Sequence, residues 1–251
     1  MYSIIQVILF TLIGLAAGLM SGIFGIGGGS VRIPLLNLAG LPLLSSFGTN
    51  LFVIPFSSAV GARTHRHNID FRLVPYVICG GISGSVLGAL LTGLIPSLIL
   101  AILFVILAIL TIIGMYFDRI APKIAEKIKN SQHTKRNIVM GIFSINLATG
   151  MRGGSGGSLF PSFLKMTAVD IHKAIATSLF ATIFTALFAV LIYWLRGDLV
   201  VLPTIFVLIG SLVGAKIGSG ISLKAKPTWL EAGLSILVVI LSLIVLYKAY
   251  V

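Results

Sequence analysis

Long apolar segments, separated by short polar breaks, occupy most of this sequence. A helix needs about 20 apolar residues to cross roughly 30 Å of hydrocarbon, so the pattern predicts about eight membrane-spanning helices. The predicted spans are residues 4–23, 45–62, 73–94, 96–116, 137–149, 174–195, 199–219 and 229–249.

Two further apolar pieces, residues 31–39 and 159–166, are too short to cross a membrane. Each directly follows a cluster of glycines. Because glycine adopts backbone conformations that interrupt a helix, we expect half-helices at both places.

The composition agrees with a membrane protein. Of the 251 residues, 57% are apolar and only 10% are charged, whereas about a quarter of the residues in a soluble domain carry charge. Disorder is excluded too, because disordered chains combine low hydrophobicity with high charge. The single cysteine, Cys79, offers no intrachain disulfide and no cysteine-based metal site. We expect no metal ion and no cofactor.

The formal net charge is +12, and much of it lies in two polar stretches. Basic residues in short loops beside membrane spans mark the cytoplasmic face, so we expect a multi-pass cell-membrane protein with both stretches in the cytoplasm. Eight spans then place both termini in the cytoplasm, with Lys224 and Lys226 outside. Neither stretch resembles a nucleic-acid site, so the expected surroundings are the lipid bilayer, and the oligomeric state stays open. The basic residues are Arg63, Arg66 and Arg72 in the first stretch, and Arg119, Lys123, Lys127, Lys129, Lys135 and Arg136 in the second.

The chain also contains an internal repeat. A shift of 128 residues superposes the halves without a gap from about residue 19 to residue 75. We therefore predict an all-α integral membrane protein with two four-helix repeats, residues 1–116 and 138–251, joined by a basic cytoplasmic linker, residues 117–137. Four spans per repeat would give the halves one orientation, and a fifth crossing would invert them. The matched residues include Gly22 with Gly150, Gly28 with Gly156, Ser30 with Ser158, Thr49 with Thr177, Asp70 with Asp198, and Pro75 with Pro203.

The two glycine clusters form the candidate substrate site. Repeats with glycine-interrupted segments at matching positions indicate a transporter whose site lies where the interruptions meet. Glycines let the backbone approach a ligand closely, and the N–H groups at a helix N-terminus favour an anion. The residues assigned to substrate binding are Gly25, Gly27, Gly28, Gly29, Ser30, Arg32, Thr49, Asn50, Arg152, Gly153, Ser155, Gly156, Gly157, Ser158, Thr177 and Ser178.

Arginines at membrane depth point to function, and Arg32 and Arg152 lie beside the clusters at non-equivalent positions. All six acidic residues fall in loops or near span ends. Asp170 and His172 are therefore the candidates for proton coupling, if coupling exists. Because a membrane potential that is negative inside drives anions outward, we expect export driven by the potential.

The sequence resembles the TauE/SafE family of membrane transporters. The resemblance rests on the paired glycine motifs, on Thr49-Asn50-Leu51 with its echo Thr177-Ser178-Leu179, and on the loop at residues 68–72 before a span. It implies an eight-span protein of two similar halves that transports sulfite or another small organosulfur anion. The second motif departs from the family pattern, with Ser155 in place of the usual glycine.

Three alternatives stay open at this point. A gated anion channel would carry the same motifs. An intramembrane serine hydrolase would use the Gly-x-Ser-Gly pattern around Ser155, but it needs a histidine base, and the four histidines (His65, His67, His133 and His172) avoid the later spans. A structural membrane subunit would use glycines only for helix packing, which is also how we interpret Gly80, Gly84, Gly88, Gly210, Gly214 and Gly218.

Overall fold

The computed structural model describes residues 3–24, 28–116, 120–123, 126, 135–156, 159–167, 169–222, 236, 239–240, 242–248 and 250. Within these residues the chain is helical and has no β-strand, which confirms the predicted all-helical class. The helices are α1 (Ile4–Phe24), α2 (Gly29–Leu38), α3 (Leu43–Thr64), α4 (Val74–Thr92), α5 (Ser97–Met115), α6 (Lys135–Met151), α7 (Phe160–Met166), α8 (Ile171–Leu195) and α9 (Val201–Ser222).

Five of these helices, α1, α3, α4, α8 and α9, are long and apolar enough to cross a membrane. Large apolar side chains stay exposed along them, for example Leu12 at 54% and Leu191 at 53%. Such surfaces suit contact with lipid rather than with water. The chain is thus a multi-pass membrane protein. Most of the eighth predicted span, at residues 229–249, and most of the basic linker lie outside the described residues.

Glycines allow two helix pairs to pack at close range, α1 with α9 and α4 with α6. Small residues let helix backbones touch in a membrane, and this confirms the packing role predicted for the glycines of α4 and α9. Residue numbers rise together along both pairs, so the helices in each pair run in the same direction. The facing residues are Gly14, Gly18 and Gly22 with Val207, Ser211 and Ala215, and Gly80, Gly84 and Gly88 with Val139, Phe143 and Leu147.

Between these pairs, α3 packs against α8 in the opposite direction. Gly61 near the end of α3 lies beside Leu179 near the start of α8, whereas Gly48 near the start of α3 lies beside Asp198, just after α8. α9 begins at this second point, and α4 begins where α3 ends. Consequently α1, α3 and α9 run one way across the molecule, and α4, α6 and α8 run the other way.

Each half begins with a long helix and a short helix that folds back along it. α2 returns along α1, because Gly28 lies beside Ala17 while Leu36 shares a cluster with Phe10. In the second half α7 returns along α6 in the same way, with Gly156 beside Asn146 and Phe163 beside Gly141. The short helices stand where the sequence predicts half-helices. Since α2 returns along α1 before α3 begins, α1 and α6, which the sequence repeat predicts to be equivalent, run in opposite directions.

This arrangement separates the basic loop from the start of the chain. α3 ends, α4 begins and α8 begins at one face, which we call the basic face because it carries Arg63, Arg72 and Lys173. α1 begins at the opposite face, where the ammonium group of Lys248 also donates a hydrogen bond to the carbonyl of Asn37. The sequence assigned the basic loops and both termini to one compartment. In the structure the start of α1 and the basic face lie at opposite ends of the described helices. The compartment that each end meets stays a prediction.

Labelling of single cysteines tests these directions. In a Cys79→Ser background, we expect Asn68→Cys and Lys173→Cys to react with an impermeant maleimide from one side of the membrane, and Leu94→Cys and Leu195→Cys from the other. Leu94 and Leu195 are 81% and 82% exposed, so their positions are accessible. Plain alternation of the eight predicted spans, with no return by half-helices, instead puts Leu195 on the side of Asn68. Labelling of those two cysteines from one side would contradict the directions described here.

Candidate functional site

Both glycine clusters interrupt a helix, and part of each is described. Gly28 follows the end of α1 with a positive φ of 66°, and a Cβ there would lie 2.6 Å from the carbonyl oxygen of Ala17. In the second half, Gly153 and Gly156 have φ values of 69° and 66°. Only glycine adopts this conformation without strain, so the breaks follow from the sequence. Gly25, Gly27, Gly157 and Ser158 lie outside the described residues.

Arg32 projects from the first turn of α2 and is completely buried, with 0% exposure. Its Nη1 donates to Oδ1 of Asn50 at 2.6 Å, and its Nη2 donates to Oγ of Ser211 at 3.1 Å. Within the described residues Nε has no hydrogen-bond partner, and no carboxylate pairs with this guanidinium. The positive end of the α2 dipole is nearby as well. The positive charge of Arg32 is therefore not compensated by any carboxylate in the described part of the chain.

The side chain of Asn50 joins the two glycine clusters. Its Oδ1 accepts from Arg32, while its Nδ2 donates to the carbonyl of Gly153 at 2.6 Å. A Cβ at Gly29 would lie 2.7 Å from the same Nδ2, so the first cluster also touches this amide. The structure brings Gly29, Arg32, Asn50 and Gly153 together, as expected if the interruptions meet.

Three serine hydroxyls of the predicted site are buried without a hydrogen-bond partner among the described residues. They belong to Ser30, Ser155 and Ser178. A buried hydroxyl left unpaired costs free energy, so a hydrogen bond to a ligand or to water would be favourable at each of these three groups. Ser178 occupies the position in the second repeat that Asn50 holds in the first.

The two threonines of the predicted site make bonds within the protein. The hydroxyl of Thr49 shares a hydrogen bond of 3.0 Å with that of Thr204 in α9. The hydroxyl of Thr177 accepts from the backbone N–H of Asp70 at 3.0 Å, which ties α8 to the loop after α3. Both bonds hold the halves together, and a role of these threonines in substrate binding stays a prediction.

Arg152 is buried at the end of α6, and its guanidinium lies over the ring of Phe104, 5.4 Å from the centroid. An aromatic face attracts a cation electrostatically, which gives this charge a local environment unlike that of Arg32. In the repeat, Arg32 matches Phe160, a fully buried ring beside Gly156. The two arginines thus occupy non-equivalent positions in the two halves.

Sequence reasoning missed Ser211, Asn146 and Tyr193. Asn146 donates to the carbonyl of Gly81 at 2.7 Å and lies beside Gly156. The hydroxyl of Tyr193 donates to the hydroxyl of Thr92 and the carbonyl of Gly150, at 3.2 and 3.3 Å. An asparagine within a predicted span was a usable signal, because polar side chains there need partners. Ser211 gave none, since serine is common in helices that pack closely.

The predicted proton carriers lie at the basic face. The Asp170 carboxylate accepts from the backbone N–H groups of His172 and Lys173 and so caps α8. Burial, and to a smaller extent nearby His172, lower the pKa of His65 below its ordinary value. Ser155 has no histidine bonded to its hydroxyl in the described part of the chain, so the geometry that a serine hydrolase needs is missing there.

Three comparisons with known proteins bear on this site. The family described as "Sulfite exporter TauE/SafE" matches residues 10–245. A "probable membrane transporter protein" of Methanocaldococcus jannaschii is 44% identical over 52 residues, or 21% of this chain and 20% of the relative. The chain therefore aligns with only about a fifth of that relative's length. No solved structure matches.

The structure predicts that Gly153 is a packing position as well as a candidate ligand contact. A Cβ at Gly153 would overlap the side chain of Phe47, and φ there is positive. Gly153→Ala should therefore lower the apparent melting temperature in detergent by several degrees, since overpacking costs about 1–3 kcal/mol. Gly220→Ala is the matched control, because nothing lies within 4 Å of a Cβ at that position. Equal melting temperatures for the two variants would show that Gly153 is not tightly packed.

Proposed function

Because this chain belongs to the sulfite exporter TauE/SafE family, we propose that it exports a small anion, sulfite or an organosulfur compound such as a sulfonate, through a site built around Arg32. One observation carries the proposal. The guanidinium of Arg32 is fully buried with no carboxylate partner among the described residues. A buried, uncompensated charge costs several kcal/mol, and an anion that binds there removes this cost.

The chemistry around Arg32 supports an oxyanion as the ligand. The Nε–H of Arg32 and the hydroxyls of Ser30, Ser155 and Ser178 are buried donors without a hydrogen-bond partner among the described residues. If these donors face one ligand, they select a group with several acceptor oxygens, as a sulfite or sulfonate has. We include the remaining predicted residues of both clusters in this site, together with Thr49, Thr177 and Arg152.

We further propose that the two repeats cross the membrane with inverted orientation, in an eight-span arrangement with the half-helices at its centre. Inverted repeats with broken helices suit alternating access, because one half rocks against the other around a central site. If the basic loops are cytoplasmic, as the distribution of positive charge favours, both ends of the chain lie at the outer face. A gated anion channel is the alternative, and saturable counterflow of labelled sulfite distinguishes the carrier from a pore with unitary currents.

Replacement of Arg32 tests the site. In proteoliposomes, Arg32→Gln should reduce saturable sulfite flux about 100-fold or more, since it removes charge-assisted hydrogen bonds of about 1.5–3 kcal/mol each. Arg32→Lys keeps the charge but not the planar fork, so its flux should lie between those of Arg32→Gln and wild type. Arg63→Gln is the matched control, because it removes the same charge from an exposed position. Equal flux in the two glutamine variants would exclude Arg32 as the anion's partner.

The driving force gives a second prediction. The described aspartates lie at helix ends, and Asp170 is committed to capping α8, so the membrane interior offers no proton relay among the described residues. Anion movement should then follow the potential, at about 2.3 kcal/mol per charge per 100 mV. A potential set by potassium and valinomycin should drive sulfite to the positive side at equal pH. Flux that ignores the potential and follows a pH gradient, with loss of that dependence in Asp170→Asn, would replace the uniporter with a proton-coupled carrier.

A further inference from the structure

The hydrogen bonds of Asn50 define the orientation of its amide. A guanidinium has only donors, and a backbone carbonyl has only acceptor sites. Oδ1 must therefore face Arg32, and Nδ2 must face the carbonyl of Gly153; both bonds are 2.6 Å long. The amide oxygen thus takes a place on Nη1 that an oxygen of a bound anion would also favour.

From this geometry we infer that Asn50 is an internal stand-in for the substrate, which competes with the anion for Arg32 and ties the two halves together while the site is empty. The inference rests on the proposed function of Arg32 and deepens it. An anion at the guanidinium displaces the neutral amide oxygen, because a charged acceptor forms the stronger hydrogen bond. Once released, the Asn50 side chain rotates, and its bond to Gly153 is lost with it.

Loss of that bond links binding to movement. Asn50 lies on α3 in the first repeat, and Gly153 lies at the helix break of the second repeat. A ligand shifts a conformational equilibrium only through contacts that differ between the two states, and displacement of Asn50 supplies such a difference. The second half does not contain an equivalent pair, because Ser178 and Phe160 occupy the positions that match Asn50 and Arg32.

Removal of the Asn50 amide should raise the affinity of the protein for sulfite. Asn50→Ala removes the competitor, so sulfite should bind about ten-fold more tightly to the purified variant than to wild type, while counterflow becomes slower. Asn50→Asp places a carboxylate against Arg32, and sulfite binding should weaken by at least about 100-fold, as expected when a fixed charge occupies the guanidinium. Asn50→Ser introduces the residue found at the equivalent position, Ser178, and should behave like Asn50→Ala. It replaces Asn50→Ala in the binding measurement if the alanine variant is unstable.

Calorimetric titration of each purified variant with sulfite separates the outcomes. Asn37→Ala is the matched control, since Asn37 is a buried asparagine of α2 whose side chain donates to the nearby carbonyl of Leu41 and makes no other side-chain hydrogen bond among the described residues. The affinity of this variant for sulfite should equal that of wild type. Weaker binding in Asn50→Ala, with binding still lost in Arg32→Gln, would overturn the stand-in and make Asn50 a direct ligand of the anion, while the proposed function survives. Binding that is unchanged in Arg32→Gln would overturn both.

Discussion

The buried guanidinium of Arg32, which has no carboxylate partner among the described residues, underlies the organisation of this molecule. The guanidinium of Arg32 donates hydrogen bonds to the Asn50 amide and the Ser211 hydroxyl. Both acceptors are neutral, so they leave its charge in place. A protein that only needed a stable core would replace such a group by an apolar side chain, because burial of an unpaired charge is destabilising. The proposed function accounts for this arrangement, because a negative ligand that binds reversibly would offset the charge only while it is bound. Full neutralisation by a carboxylate would prevent its binding.

The surrounding architecture holds this charge at the junction of the two halves. Glycines bring α1 against α9 and α4 against α6, so each half supplies one member of both tight pairs. The central helices α3 and α8 then meet in opposite directions, and each short helix folds back toward this centre. Because each tight pair joins a helix of one half to a helix of the other, the proposed rocking of one half against the other would change the surroundings of Arg32.

Much of this fold was predictable, because the membrane imposes a simple rule on composition. The apolar runs predicted seven of the described helices within a few residues, and the glycine clusters predicted where the short helices lie. The relative direction of the halves was not predictable, since it depends on whether a half-helix counts as a crossing. α2 is too short to span the membrane, yet it returns far enough along α1 to reverse the direction in which α3 runs. Simple alternation of spans places the basic loops and the start of the chain on one side, whereas the described helices place the basic face and the start of α1 at opposite ends.

The sequence predicted the residues that meet around Asn50 but not the bonds between them, and their role in substrate binding stays a prediction. Arg32 and Asn50 stand 18 positions apart, and only the fold shows that their side chains bond to each other and, through Asn50, to the second repeat. Thr49 and Thr177 look alike in the repeat, yet their hydroxyls make unlike contacts with α9 and with the loop after α3. Repeat symmetry predicts equivalent positions, whereas the bonds depend on side chains that the two halves do not share.

Crystallography with selenite would show directly whether the anion binds at Arg32. Selenite has the shape and charge of sulfite, and its selenium scatters anomalously, so a crystal of the protein grown with selenite locates the anion without assumptions about its contacts. We expect an anomalous peak between the two helix breaks, with the selenite oxygens within hydrogen-bond reach of Arg32 and the Asn50 side chain turned away. A peak confined to the loops of the basic face, with the bond between Arg32 and Asn50 intact, would contradict it.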